Sequence, residues 1–132
     1  MPQPKIEVDQ VFEGQSITHL ARITGNDAAN ITQASISSIQ LRITDDDGNV
    51  ISTRALVVND VIFDTLQQTA DDARWTKDST GYNFKYSALM TDLPKGNTLY
   101  RFEYRIRPVS EGAHIHFIRE VQTHDILTTS EA

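Results

Sequence analysis

Apolar and polar residues alternate along most of this chain with a period of two, which is typical of β-strands that bury one face and expose the other. Residues 98–107 show the pattern most clearly, because Tyr100, Phe102, Tyr104 and Ile106 are separated by polar or charged residues. No stretch combines a period of 3.6 residues with a helix cap at each end. The pattern therefore predicts an all-β protein.

A first hairpin is predicted where residues 37–44 and 50–58 flank the turn sequence Asp-Asp-Asp-Gly-Asn. Glycine and asparagine readily adopt the positive φ that a tight hairpin needs. Placing Thr44 opposite Val50 turns the mainly apolar sets of both strands to one side of the sheet. The expected pairs are Ile43 with Ile51, Leu41 with Thr53, and Ile39 with Ala55.

A second hairpin joins residues 98–107 to residues 114–122 through a turn at residues 108–113. Placing Arg107 opposite His114 gives both faces of the hairpin matching partners. The expected pairs are Ile106 with Ile115 and Tyr104 with Phe117 inside, and Arg105 with His116 and Arg101 with Glu120 outside.

The rest of the chain predicts further strands at residues 15–24 and 82–86, with a loop at residues 25–27. One face of the earlier strand carries Ile17, His19, Ala21 and Ile23. Residues 61–66 fit either a short strand or a helical turn. Residues 67–78 predict a long polar connection that is anchored by Trp75.

About seven short strands with turn signals between them predict an antiparallel β-sandwich. The 132 residues form one domain in this interpretation, with short flexible segments at residues 1–10 and 124–132.

Composition narrows the function. The chain has no cysteine, which excludes disulfides, thiolate zinc sites and a cysteine nucleophile. Its formal net charge of −6 disfavours binding to nucleic acid or to an anionic membrane. No apolar segment of signal-peptide length follows the first methionine, so we expect a protein made in a reducing cytoplasm. No phosphate-binding glycine loop or nucleophile elbow is present, and we expect no cofactor and no enzymatic activity.

Two motifs offer metal chemistry. His114, His116 and Glu120, with His124 beyond them, resemble the first metal-binding motif of cupins. The alternative, which we favour, is that these side chains are solvated and face the arginines across the hairpin. The three aspartates at residues 45–47 suggest a calcium loop, but they lack the alternate spacing of an EF-hand, and we predict a hairpin turn.

A basic strip is the strongest candidate for a partner-binding surface. Its residues are Arg101, Arg105, Arg107, His114 and His116. The alternative, which we favour, is that the arginines pair with Glu103 and Glu120 on a solvated sheet, and Arg119 falls on the apolar phase of its strand. Trp75 and the aromatics of residues 82–86 fit either an exposed binding patch or the core, and we predict the core.

Residues 92–96, Asp-Leu-Pro-Lys-Gly, precede Tyr100, Phe102, Tyr104 and Ile106, and Gly112 stands in the next turn. This order resembles the E–F corner and F strand of fibronectin type III and other immunoglobulin-like domains. The resemblance implies an immunoglobulin-like sandwich in which Tyr100 is the tyrosine of a tyrosine corner.

Several segments resemble small proteins encoded among the head and tail genes of tailed bacteriophages. They are Ala-Arg-Ile-Thr-Gly at residues 21–25, residues 31–39, Phe-Asp-Thr-Leu-Gln at residues 63–67, Trp-Thr at residues 75–76 and Gly-Tyr-Asn-Phe at residues 81–84. The resemblance implies a non-enzymatic virion structural protein, assembled in the host cytoplasm. We expect a capsid cement or decoration protein that binds the major capsid protein or another virion protein, as a homo-oligomer.

Two alternatives stay open. One is a tail or neck module that binds a receptor or a carbohydrate. The other is a small metal-binding enzyme that uses His114, His116 and Glu120.

Overall fold

The computed structural model describes residues 7–12, 15–25, 28–89, 92–109 and 113–125, and these residues form eight strands and two short helical turns. The elements are β1 (Glu7–Phe12), β2 (Thr18–Ala21), a 3-10 turn (Gln33–Ser35), β3 (Ile36–Thr44), β4 (Val50–Leu56), α1 (Val58–Val61), β5 (Ile62–Gln67), β6 (Tyr82–Ser87), β7 (Leu99–Pro108) and β8 (Ile115–His124). None of the helices in the described ranges has the length and apolar character needed to cross a membrane.

The strands form two sheets with an immunoglobulin-like order. The larger sheet has the order β1-β8-β7-β3-β4, and the smaller sheet has the order β2-β6-β5. In immunoglobulin notation these are strands A′, G, F, C and C′ facing strands B, E and D. The predicted all-β sandwich is confirmed, with eight strands in the described part rather than about seven.

The strand β1 departs from the predicted antiparallel arrangement because it pairs in parallel with β8. Residues 7–10 of the N-terminal segment expected to be flexible belong to this strand, while residues 1–6 lie outside the described residues. At the other end, His124 closes β8 and Asp125 is described, while residues 126–132 lie outside the described residues.

The core lies between the two sheets and follows the predicted alternation of β7. Tyr100, Phe102, Tyr104 and Ile106 are all fully buried. The register of β7 against β8 is also confirmed, since Ile106 pairs with Ile115, Tyr104 with Phe117, Arg105 with His116 and Arg101 with Glu120. In the described part of this hairpin the ladder ends at Ile106 and Ile115, so it does not include the predicted Arg107–His114 pair. Gly112, in the turn, lies outside the described residues.

The register predicted for β3 and β4 is right at Thr44 and Val50 but wrong beyond them. The pairs are Ile43 with Ser52, Leu41 with Arg54, and Ile39 with Leu56. The cause is a β-bulge next to the turn, in which Ile51 is an extra residue without a partner on β3. One extra residue exchanges the two faces of a strand, so Ser52, Arg54 and Leu56 share the side of the sheet that faces the core.

The inward position of Arg54 is explained by Asp92, a fully buried carboxylate at the start of the E–F corner. The Arg54 guanidinium donates to both Asp92 oxygens, at 2.9 and 2.5 Å, and to the Tyr86 hydroxyl at 2.7 Å. A buried carboxylate requires such partners because desolvation of its charge is costly. The polar residue that breaks the apolar pattern of β4 therefore closes this side of the sandwich.

The tyrosine corner predicted at Tyr100 is present. The Tyr100 hydroxyl accepts a hydrogen bond from the backbone N–H of Lys95 at 3.0 Å. On β8, the buried Thr123 hydroxyl donates to the carbonyl oxygen of Lys95 at 2.6 Å. Both backbone groups of Lys95 are thus bonded to core strands, which fixes the corner.

Antibody domains carry a cysteine two residues after the corner tyrosine, and its partner lies on strand B. In this chain Phe102 stands two residues after Tyr100, and His19 of β2 packs edge-on against its ring with centroids 4.9 Å apart. An aromatic contact thus joins the two sheets near the place where antibody domains have a disulfide.

The long connection between β5 and β6 is anchored by Trp75, as predicted. Trp75 is 3% exposed and forms a second apolar cluster with Leu20, Tyr82 and Phe63. Its indole N–H donates to the Asp78 carbonyl oxygen at 3.0 Å. Trp75 therefore belongs to the interior rather than to an exposed patch.

Replacing Tyr100 by phenylalanine tests the corner. We expect the free energy of unfolding to fall by about 1–2 kcal/mol, because the Lys95 N–H loses its acceptor in a partly buried site. Urea denaturation measures the change. Tyr82→Phe is the matched control, since the Tyr82 hydroxyl makes no hydrogen bond within the described part of the chain. Equal losses for the two variants would contradict the role of the corner.

Replacing Arg54 by alanine tests the buried ion pair. We expect the free energy of unfolding to fall by about 3 kcal/mol or more, since Asp92 keeps a buried charge without its cation. The control is Arg42→Ala, because Arg42 forms an exposed ion pair with Glu103 at 2.8 Å. An exposed pair contributes at most about 1 kcal/mol, so a similar loss for both variants would show that Asp92 does not depend on Arg54.

Candidate functional site

The outer face of the larger sheet carries the predicted basic strip. Strand alternation turns the charged residues of β7 away from the core, and β3 and β8 add theirs beside them. We call this surface the arginine face. Its charged residues are Arg42, Arg101, Glu103, Arg105, Arg107 and Glu120, and His114 and His116 lie beside them.

One half of the arginine face is neutralised by its own glutamates. Arg42 donates to Glu103 at 2.8 Å, and Arg101 lies 3.7 Å from Glu103 and 3.8 Å from Glu120. The predicted pairing of Arg101 with the acidic residues of the sheet is therefore present. Arg101 has little charge left to offer to a partner.

The other half keeps its positive charge. Arg105 and Arg107 are exposed, and no acidic side chain in the described ranges forms an ion pair with either of them. His116 lies opposite Arg105 on β8, and the rings of His114 and His116 are 6.5 Å apart. This end of the sheet thus presents two guanidinium groups and two imidazoles to solvent.

A shallow cleft of about 310 Å³ opens in the middle of the arginine face. Its lining residues are Gln40, Arg42, Thr53, Glu103, Arg105, His116 and Ile118. The cleft combines hydrogen-bond donors with one apolar residue, Ile118, which suits the anchoring side chain of a partner better than a reaction.

The structure places all five predicted residues on one face, but it divides them between the two halves. Arg42 was not among the predicted residues. It joins the face because β3 lies next to β7 and Arg42 pairs with Glu103. Alternation within β3 predicts that Arg42 points away from the core. It does not predict that β7 is the neighbouring strand, because that depends on the order of strands in the sheet.

Four arginines against two glutamates leave this face with an excess of positive charge on a chain whose formal net charge is −6. The arginine face is therefore distinguished from the rest of the surface by the sign of its charge. Such separation orients a protein as it approaches a charged partner.

The histidine motif does not assemble into a ligand cluster. Glu120 faces Arg101, and His124 at the far end of β8 bonds to Gln10 of β1 at 2.6 Å. Within the described residues, three or more ligand groups converge at Asp45, Asp46 and Asp47, and not at His114, His116 and Glu120.

The three aspartates belong to the predicted hairpin turn. The Asp45 carboxylate accepts hydrogen bonds from the backbone N–H groups of Asn49 at 2.9 Å and Asp47 at 3.0 Å. These bonds, that from Asn49 foremost, lower the pKa of Asp45 below its usual value. Gly48 takes the positive φ of 86° that the turn needs. These internal hydrogen bonds thus explain the presence of a carboxylate at Asp45 without a bound cation.

A larger groove, of about 530 Å³, lies between β1, β2 and the connection that carries Trp75. Its two arginines are already paired with carboxylates, since Arg119 binds Asp9 at 3.1 Å and Arg74 binds Asp72 at 2.7 Å. This groove is therefore a weaker candidate for a binding site than the arginine face.

The chain matches no family model, no curated protein and no solved structure. No family and no function follow from these comparisons.

Proposed function

We propose that this chain is a non-enzymatic binding module that docks onto an acidic protein surface through its arginine face. The observation that carries the proposal is the uncompensated end of this face, where Arg105 and Arg107 are exposed beside His114 and His116. Guanidinium groups are weakly hydrated and match carboxylates with two parallel hydrogen bonds, which suits them to protein interfaces.

The two halves of the face have different roles in this proposal. Arg105 and Arg107 bind carboxylates of the partner, while the Arg42–Glu103 pair and the cleft beside it form a polar surface that excludes water around them. The charge separation across the molecule guides the approach, so association weakens as the salt concentration rises.

The biological setting we propose is a tailed-phage virion, with the chain as a cement or decoration protein bound to the major capsid protein. Support comes from the resemblance of its segments to small virion accessory proteins and from the absence of cysteine. A protein that binds the assembled shell stabilises that shell by mass action. Because many copies bind one shell, contacts that are individually weak give a high total affinity. A homo-oligomer suits the symmetry of such a shell. A neck or tail component is the second candidate.

Mass spectrometry of virions of the phage that encodes the chain tests the setting. We expect a copy number comparable to that of the major capsid protein, because a cement protein repeats with the shell. A handful of copies would favour the neck or tail instead. Absence from the virion would contradict the whole setting.

Reversal of charge on the arginine face tests the docking surface. We expect Arg105→Glu combined with Arg107→Glu to weaken binding to capsids that lack the protein by about tenfold or more in co-sedimentation. The control is Lys77→Glu combined with Lys95→Glu, which changes the net charge equally at exposed positions elsewhere. If the control weakens binding as much, net charge rather than this face is responsible. Unchanged binding of the arginine variant would overturn the proposed surface.

A further inference from the structure

The strand β1 covers one open side of the sandwich. It is the edge strand of the larger sheet, and β2 is the edge strand of the smaller sheet. The inward Asp9 of β1 accepts two hydrogen bonds from Arg119 of β8, at 3.1 and 3.3 Å. Arg119 in turn donates to the Leu20 carbonyl oxygen of β2 at 3.4 Å. Asp9 is thus a polar contact that fixes β1 from its inner face, beside the outer contact of Gln10 with His124.

A fully buried histidine lies beneath β1. His19 of β2 bonds through Nδ1 to the Tyr104 hydroxyl at 2.7 Å, and its Nε2 lies 3.6 Å from the Asp9 carboxylate. That separation is too long for a hydrogen bond, and Nε2 has no other hydrogen-bond partner in the described part of the chain. His19 is therefore a fully buried imidazole with one ring nitrogen facing the strand that covers it.

The charged and titratable groups around His19 come from four strands. Asp9 approaches from β1, Arg119 from β8, Tyr104 from β7, and Tyr86 lies opposite His19 on β6. Asp9 favours a protonated ring, whereas burial and the Arg119 guanidinium oppose it. Burial first, and then Arg119, lower the pKa of His19 to about 3.

We propose that β1 is an acid-releasable strand: uptake of one proton by His19 lifts β1 off β8 while the remaining strands of both sheets stay paired. Release removes the Asp9 carboxylate from above the ring and admits water to Nε2. It also uncovers the edge of β8, a row of backbone groups with which another extended segment can pair.

The direction of the pH dependence follows from linkage. With β1 in place the pKa of His19 is far below its usual value, and in the released form the wetted ring returns toward that value, near 6.5. The released form therefore binds more protons, and its share rises as the pH falls through 6.5. Between pH 7 and pH 5 the opening equilibrium increases by at most about 25-fold, the value for a full return of the pKa to 6.5.

Hydrogen exchange of the native protein tests the proposal, with amide rates corrected for their intrinsic pH dependence. We expect the opening equilibrium of the β1 amides to rise from pH 7 to pH 5, by up to about 25-fold. We also expect these amides to remain less protected than those of β3 and β7, which report global unfolding. β1 protection that is independent of pH, or equal to that of β7 throughout, would overturn the proposal without any variant.

Two variants separate His19 from other causes. His19→Gln keeps a polar side chain but removes the titration, so we expect the pH dependence at β1 to disappear. His124→Gln is the control, because His124 also contacts β1 through Gln10, and this variant should keep the full dependence. The opposite assignment, with the dependence lost in His124→Gln and retained in His19→Gln, would contradict the mechanism.

A third variant tests the contact that holds β1 in place. Asp9→Asn removes the carboxylate that binds Arg119, and we expect it to increase opening at both pH values while His19 continues to respond to pH. Unchanged opening would show that Asp9 does not hold the strand.

Discussion

Tyr104 joins the two sheets of this domain, and much of the interior is arranged around it. Its buried ring contacts the rings of five aromatic residues, and its hydroxyl bonds to one of them. These residues are His19, Phe84, Tyr86, Phe102 and Phe117. A sandwich without cysteine must hold its sheets together by packing, and each ordered aromatic pair adds to the free energy gained from burial alone. The hydroxyl of Tyr104 requires a partner inside this core, which is why a histidine stands where an apolar residue would be expected.

The charges near the core lie at the two open sides of the sandwich. Arg54 on the edge strand β4 binds Asp92, and Asp9 on the edge strand β1 binds Arg119. Buried ion pairs contribute little net stability, because desolvation offsets their attraction. The ion pairs have a second effect, because an inward-pointing charge on an edge strand discourages that strand from pairing with another chain. The bulge in β4 protects its edge in the same way. This protection of the edges is consistent with the proposal that association uses the arginine face instead.

The sequence predicts those parts of the fold that depend on alternation within one hairpin. The pairing of β7 with β8 was predictable because both faces of the hairpin carry matching residues. The tyrosine corner was expected from the resemblance of residues 92–106 to immunoglobulin-like domains. The register of β4 was not predictable, since Arg54 faces inward to bind Asp92, which lies far along the chain. The strand β1 was missed for the same reason, because the inward Asp9 is compensated by Arg119 from the opposite end of the sequence.

The same limit applies to the candidate site. Alternation alone places Arg101, Arg105 and Arg107 together, but it cannot show which of them is already neutralised. That depends on Glu120 from β8 and on the competition of Arg42 with Arg101 for Glu103. Sheet order therefore converts a uniform row of arginines into one neutral half and one charged half. Carboxylates of a partner gain most where no internal carboxylate competes. The docking proposed for Arg105 and Arg107 therefore depends on β3 and β8, although both arginines belong to β7.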